Sequence, residues 1–410
     1  MNLFLVAQNY HPFVGGVETH VRQVAWALSA RHEVSVAAVN FSANRLPARV
    51  AMLHNSVLAP AHHDHRDGPV AIHALNPSPL ERVRLAPIAI RVLPGLTRLA
   101  GYFALERFGF PWYRSVYLPR LRKRMRGVEV VHSLAGGYLG WTALSAARRA
   151  GIPFVCTPFV HPRQWGDGPF DVAFYQQADA VIALVDTDRD YLVRLGVPMG
   201  KIRVIGVSPD LPPTTDSTGF RQRHGIGNAP MVLYVGRMMP QKGGRAVLDA
   251  AELVWRQHPA ARFVFVGPLD RESTTWFRDR DPRIQVLGRV SLQEKADALA
   301  ACDVFCMPSL SEILPTVYLE AWSLGKPVIG GLAHGLPELV EGNGAGLAVG
   351  QKPEELAVAL CRLLADHELR QRFGVAGLRL VENRYSMAVV TGALESLYTE
   401  LANRRRGGTT

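Results

Sequence analysis

What most constrains this chain is a repeated unit: a short, unbroken apolar run, halted by glycine or proline, followed by a stretch of helical character. Leu3-Phe4-Leu5-Val6-Ala7 passes through a loop with Pro12 and Gly15-Gly16 into Val17, Val21, Val24 and Leu28, which recur at helical spacing. Residues 128–131 end at His132 before Gly136-Gly137 and an alanine-rich stretch, and similar runs occupy 153–157, 180–183 and 202–205. Others follow at 231–235, 263–266, 284–287, 304–307 and 327–329. Apolar runs without alternation read as strands covered on both faces, as in parallel sheets flanked by helices. The expected class is therefore α/β, with doubly wound sheets. At 410 residues the chain has room for two ordinary cores. Residues 207–216, rich in Pro, Ser, Thr and Asp, read as a linker between domains at 1–206 and 217–384. Beyond residue 350 the pattern is helical, and 385–410 reads as an amphipathic helix ending in a frayed Arg404-Arg405-Arg406 tail.

Composition narrows the function classes. With 48% hydrophobic and 20% charged residues the chain is globular. Cys156, Cys302, Cys306 and Cys361 lie in or beside apolar stretches at spacings unlike a metal site or a disulfide framework, which favours buried thiols in a cytoplasmic protein. Leu3 to Ala7 is too short for a signal-peptide core, and no long uncharged apolar run is present. The net charge of +11 is concentrated: residues 82–126 hold eleven cations against one acid, Glu106, or +10. Those cations alternate with Leu, Ile, Phe, Trp and Tyr, which suits peripheral contact with anionic lipid on the inner face of a membrane, or a lipid-diphosphate acceptor. A solvated basic face is the alternative. Nucleic acid is disfavoured, because no recognition motif accompanies the charge. His62-His63-Asp64-His65 reads as a polar loop rather than a metal site.

Two stretches carry the chemistry. Gly236-Arg237 through Lys242-Gly243-Gly244 follows the 231–235 run directly, placing two cations on a glycine-containing loop at a strand end, where they can grip a diphosphate. In 309–338, Glu312 sits in a loop after Pro308, Pro315 suits the first position of a helix, and the N–H groups of Thr316, Val317 and Tyr318 would offer an anion seat. Glu320 falls one turn further on, facing as Thr316 does. Gly15-Gly16, before the first helix, offers a second phosphate seat. No G-x-G-x-x-G follows the first strand, which disfavours a nicotinamide dehydrogenase.

The order strand, loop, Glu312, helix start, Glu320, strand, Gly330-Gly331 and Gly335-Leu336-Pro337-Glu338 resembles the nucleotide-sugar site of the family 4 glycosyltransferases. The Gly-Arg to Lys-Gly loop and Gly15-Gly16-Val17-Glu18 match that family as well. The resemblance implies a GT-B enzyme: two Rossmann-like domains facing across a cleft, an acceptor-binding N-terminal domain, a nucleotide-sugar-binding C-terminal domain, and a last helix crossing back to the first. It implies retaining hexosyl transfer from a UDP- or GDP-linked sugar to a glycan or lipid-linked acceptor, as in envelope or exopolysaccharide synthesis, with no metal and no cofactor. Carried over residue by residue, Glu312 and His161 would act at the reacting sugar. Arg237, Lys242, Thr316, Val317, Gly15 and Gly16 would hold the diphosphate, and Glu320 the ribose. The backbone of Arg289 and Val290 would meet the base, and Glu18 and His132 would serve the acceptor side. The family usually has Gly after the first Glu; here Ile313 stands there. A sugar-nucleotide 2-epimerase of the same fold, or an inactive nucleotide-sugar-binding protein, are the alternative readings.

Overall fold

The computed structural model describes residues 1–13, 15–41, 62–88, 102–278 and 280–407. Its contacts divide into two compact units: Met1–Ile205 together with the chain from Thr391 onward, and Gly206–Val390.

In the first unit the described residues form one sheet from β1 (Asn2–Asn9), β2 (Glu33–Asn40), β3 (His65–Asp67), β4 (Val70–Ala74), β5 (Val130–Ser133), β6 (Phe154–Cys156), β7 (Ala180–Ala183) and β8 (Ile202–Val204). The order is β3-β4-β2-β1-β5-β6-β7-β8, parallel throughout except for β3 against β4. Leu3 through Ala7 are all buried, so both faces of β1 are covered and no alternation survives in its sequence. The strand order reverses between β1 and β5, which opens a crevice at their carboxyl ends.

The structure corrects the reading of His62-His63-Asp64-His65 as a polar loop at its last residue. His65 is in β3, with its Nδ1 bonded to the His63 carbonyl. Arg91 and Arg98 of the basic segment lie outside the described residues. The basic segment also differs from a simple lipid-facing surface. Tyr113 and Tyr117, in the helix Tyr102–Arg124, are buried and stacked with ring centroids 4.2 Å apart. Arg120 is paired with Glu81, and Arg124 with Asp64. Part of the segment's aromatic content is core, and part of its charge is neutralised.

The last helix, Met387–Gly407, is fastened to the first unit by side chains. Glu395 takes Arg31 at 2.8 Å and His32 at 3.0 Å, and Arg203 reaches Glu400 at 3.3 Å. Tyr398 meets the Nδ1 of His132 at 2.7 Å.

The second unit is an all-parallel sheet of β9 (Met231–Val235), β10 (Arg262–Val266), β11 (Ile284–Gly288), β12 (Val304–Met307), β13 (Val328–Gly330) and β14 (Gly346–Ala348), in the order β11-β10-β9-β12-β13-β14. Its order reverses between β9 and β12. Residues 207–216 group with this unit: Val207 and Ser208 are buried, and the Asp216 N–H donates to the Asp297 carboxylate at 2.7 Å. All four thiols are free and buried.

Burial pushes the imidazole of His132 down to about 3 and that of His20 down to about 4. Both rings are thus neutral in the fold but take a proton when unfolded below about pH 6.5. Stability from this source is complete above that pH and is lost as the pH falls toward 4, by about 3 kcal/mol for His20 alone. Melting temperature should drop through that window, and His20→Leu should flatten the drop; an unchanged slope would show that His20 is not its source.

Candidate functional site

The loops that follow β9 and β12 are stitched together. The Leu310 N–H donates to the Gln241 carbonyl at 2.8 Å, and the Gln351 amide donates to the Pro308 carbonyl at 2.8 Å. Gly243 has a left-handed φ of 81°, and a Cβ there would stand 2.7 Å from the Pro308 carbonyl oxygen. Glycine is required twice over, by conformation and by space. A Cβ on Gly331, after β13, would likewise overlap the Ser309 carbonyl.

On this scaffold Lys242 and Glu312 meet. The Lys242 Nζ lies 2.5 Å from Glu312 Oε1 and donates to the Ser311 carbonyl at 2.7 Å. Their side chains are only 13% and 19% exposed, so the pair is less screened than a surface ion pair. Arg237 is exposed and its guanidinium makes no hydrogen bond or ion pair among the described residues, while its carbonyl accepts the Tyr234 hydroxyl at 3.0 Å. Ile313 and Leu314 are buried, anchoring the loop between Glu312 and the next helix. The side chain that replaces the family's glycine therefore goes into the interior.

The helix Thr316–Ser323 begins one residue later than expected. Pro315 is its N-cap, and Tyr318 spends its N–H on the Pro315 carbonyl at 3.0 Å. Tyr318 is thereby removed from the expected anion seat. The N–H groups of Thr316 and Val317 remain without a partner among the described residues, at the positive end of the helix dipole.

Glu320 is 3% exposed, and its carboxylate is held by Lys295 at 2.7 Å. Burial raises its pKa and Lys295 opposes the rise. Lys295, on the helix Leu292–Ala301, also reaches the Asp210 carbonyl at 3.5 Å. Sequence reasoning did not find it: the partners are 25 residues apart, on different helices, with no local pattern linking them. At the end of edge strand β11, Gly288 has φ 64° and its carbonyl accepts the Gly267 N–H at 2.8 Å; Arg289 beyond it is exposed and Val290 half-buried.

In the first unit Gly15 caps the helix Gly16–Ser29. The Glu18 carboxylate folds back over it: a Cβ on Gly15 would collide with Glu18 Oε2, and Glu18 Oε1 accepts the Asn9 amide at 2.8 Å. The phosphate seat expected at Gly15-Gly16 is thus occupied by the chain's own carboxylate, which repels a second anion. Asn9 is in turn held by Asn40 at 3.1 Å. His161 is half-buried after β6, its ring stacked on Trp165 with centroids 4.5 Å apart. The surrounding loop holds Phe159 at φ 49° and Arg163 at φ 60°, conformations unfavourable for non-glycine residues and concentrated at functional sites. His132 is corrected: it is buried, with one ring nitrogen against Tyr398 and the other against Thr157 at 2.7 Å. It fastens the last helix and is not open to an acceptor.

Breaking the Lys295–Glu320 pair from one side strands a buried carboxylate, at a cost of about 3–5 kcal/mol. Urea denaturation of Lys295→Met should show that loss, and Lys295→Met/Glu320→Leu should recover most of it. Equal losses in both variants would contradict the pairing.

Residues 14–207 match a family model described as Glycosyltransferase Family 4, and residues 229–366 one described as Glycosyl transferases group 1. The chain is 26% identical to the alpha-D-kanosaminyltransferase of Streptomyces kanamyceticus, over 78% of this chain and 90% of that protein. It is 27% identical to the GDP-mannose-dependent alpha-(1-6)-phosphatidylinositol monomannoside mannosyltransferase of Mycobacterium tuberculosis, over 77% of this chain and 81% of that protein. Among solved structures, Anabaena HepE in complex with UDP superposes with a TM-score of 0.71 at 18% identity, covering 98% of this chain and all of the other. Sucrose-phosphate synthase from Thermosynechococcus elongatus gives 0.69 at 19% identity, covering 98% of each. At these identities the structural likeness establishes the two-domain GT-B fold. With the two family models together spanning most of its length, the chain belongs to the family 4 glycosyltransferases.

Proposed function

We propose that the protein transfers a hexosyl unit, with retention, from a UDP- or GDP-linked sugar to a glycan or lipid-linked acceptor in envelope or exopolysaccharide synthesis. The observation that carries this reading is the Lys242–Glu312 pair on the stitched loops at the β9/β12 reversal. As the bond to the anomeric carbon breaks, charge builds on the departing diphosphate. Lys242, Arg237 and the N–H groups of Thr316 and Val317 are the groups to receive it, and preorganised donors of this kind need no rearrangement as the charge develops. Lys242 then exchanges Glu312 for phosphate oxygen, leaving the Glu312 carboxylate to the donor sugar; His161 is the second residue assigned to the reacting sugar. Glu320, steadied by Lys295, serves the ribose, and the backbone at Arg289 and Val290 the base. Glu18 stays with the acceptor side.

The M. tuberculosis relative is named for GDP-mannose and a phosphatidylinositol glycolipid, and HepE was crystallised with UDP, which supports both donor classes and a lipid-linked acceptor. Among the described residues no helix is long and apolar enough to cross a membrane. Contact with anionic lipid through 82–126 remains part of the proposal, and it is supported by Val83 at 70% and Trp112 at 43% exposure beside exposed Arg84.

Incubation with UDP- and GDP-linked hexoses and candidate lipid-linked acceptors, followed by NMR of the new linkage, should give the donor's anomeric configuration in the product. Glu312→Gln should lower turnover by about a hundredfold or more, as loss of a transition-state contact does. Donor conversion without acceptor would identify an epimerase instead; binding without turnover would identify an inactive binder.

A further inference from the structure

The first unit has a second concavity, at the opposite edge of its sheet from the β1/β5 crevice. It lies where the chain enters β5 and β6, with Val128 and Ile152 in its lining, and measures about 910 Å³. That volume falls within the range of about 300–1,000 Å³ typical of ligand pockets. Five cations converge on it: Arg122, Lys123 and Arg126 from the end of the helix Tyr102–Arg124 and just beyond, Arg149 from the helix Gly137–Arg149, and Arg405 from the last helix. Two of the five thus come from outside the 82–126 segment. Arg122, Lys123, Arg126 and Arg149 are exposed and have no hydrogen bond or ion pair among the described residues. The one carboxylate in the lining, Glu129, is already committed to Arg406 and to the Asn2 N–H at 2.9 Å.

Three helix carboxyl ends meet nearby, and their partial negative charge, about half a unit each, accounts for some of this clustering. It does not account for the concavity, nor for its floor of buried Met125, Val128 and Ile152. A solvated basic face spreads its charges outward, whereas these surround a hollow with an apolar base. Convergent, unpaired guanidinium groups are the arrangement that binds phosphate oxygens in pairs, and the space exceeds what one orthophosphate fills. We propose that this basin is a binding site for a ligand carrying two or more phosphate groups, distinct from the donor site and independent of it. The same chemistry is offered by a phosphorylated lipid headgroup, with its acyl portion on the apolar floor, and by a soluble polyphosphate compound.

Tripolyphosphate is the probe, titrated calorimetrically into the full chain, into Lys242→Ala and into Arg122→Ser/Arg149→Ser. A binding event should persist in Lys242→Ala and weaken by about tenfold to a hundredfold in the arginine variant, the loss expected for charge-assisted bonds. Rising salt should weaken it. UDP or GDP binding, measured alongside, should be the same in the arginine variant as in the parent; a protein that binds neither nucleotide still gives a readable tripolyphosphate result. Arg245→Ser, which removes a charge elsewhere, is the control. Sedimentation with vesicles containing cardiolipin, whose headgroup carries two phosphates, separates the sources: vesicle binding lost with the two arginines identifies a headgroup, and tripolyphosphate binding without vesicle binding identifies a soluble ligand. Tripolyphosphate binding that vanishes in Lys242→Ala, or that is equal in the arginine variant and the parent, would overturn the proposal.

Discussion

The hydrogen bond from the Leu310 N–H to the Gln241 carbonyl is the constraint on which the candidate donor site rests. It joins the loops of two strands that neighbour each other only because the strand order reverses between them. By itself such a bond contributes about 1 kcal/mol. Its larger effect is geometric: with Gly243 against Pro308 and Gly331 against Ser309, it brings Lys242 and Glu312 within 2.5 Å through backbone contacts rather than through flexible side chains. A site meant to bind developing charge benefits from donors held in place beforehand.

The first unit uses the two edges of its sheet differently. At the carboxyl edge Glu18 is paired with Asn9 and Asn9 with Asn40, and the His161 ring is stacked on Trp165. At the amino edge cations converge, and Arg122, Lys123, Arg126 and Arg149 do so without a hydrogen bond or ion pair among the described residues. The last helix contributes to both the core and that basin, through Tyr398 on His132 and through Arg405. Its attachment is therefore more than a matter of stability.

Much of the fold was legible because strands covered on both faces carry continuous apolar runs, as in 231–235 and 304–307, and glycine or proline marks their ends. Strand β4 escaped because only Val70 and Ile72 of its five residues are buried, too short a pattern to register beside a polar histidine stretch. That Lys242 and Glu312 lie on loops at strand ends was legible because each loop directly follows an apolar run, and the structure brings the two side chains together. Lys295 was not, since a buried carboxylate's partner is chosen by packing between helices. His132 misled for the opposite reason: it lies within β5, near the strand's end, and Tyr398, 266 residues away, claims its ring. Pro315 at the N-cap rather than the first helical position shows how a one-residue shift decides which N–H groups stay open.

The central claim is that Lys242 and the loop around it form a diphosphate seat, and affinity for a nucleoside diphosphate measures it most directly. Titration of UDP and GDP into the parent and into Lys242→Ala should show one nucleotide binding the parent, with the variant weaker by about ten- to a hundredfold. The matching nucleoside, lacking phosphates, should bind both equally weakly. Equal nucleotide affinity in parent and variant would contradict the account.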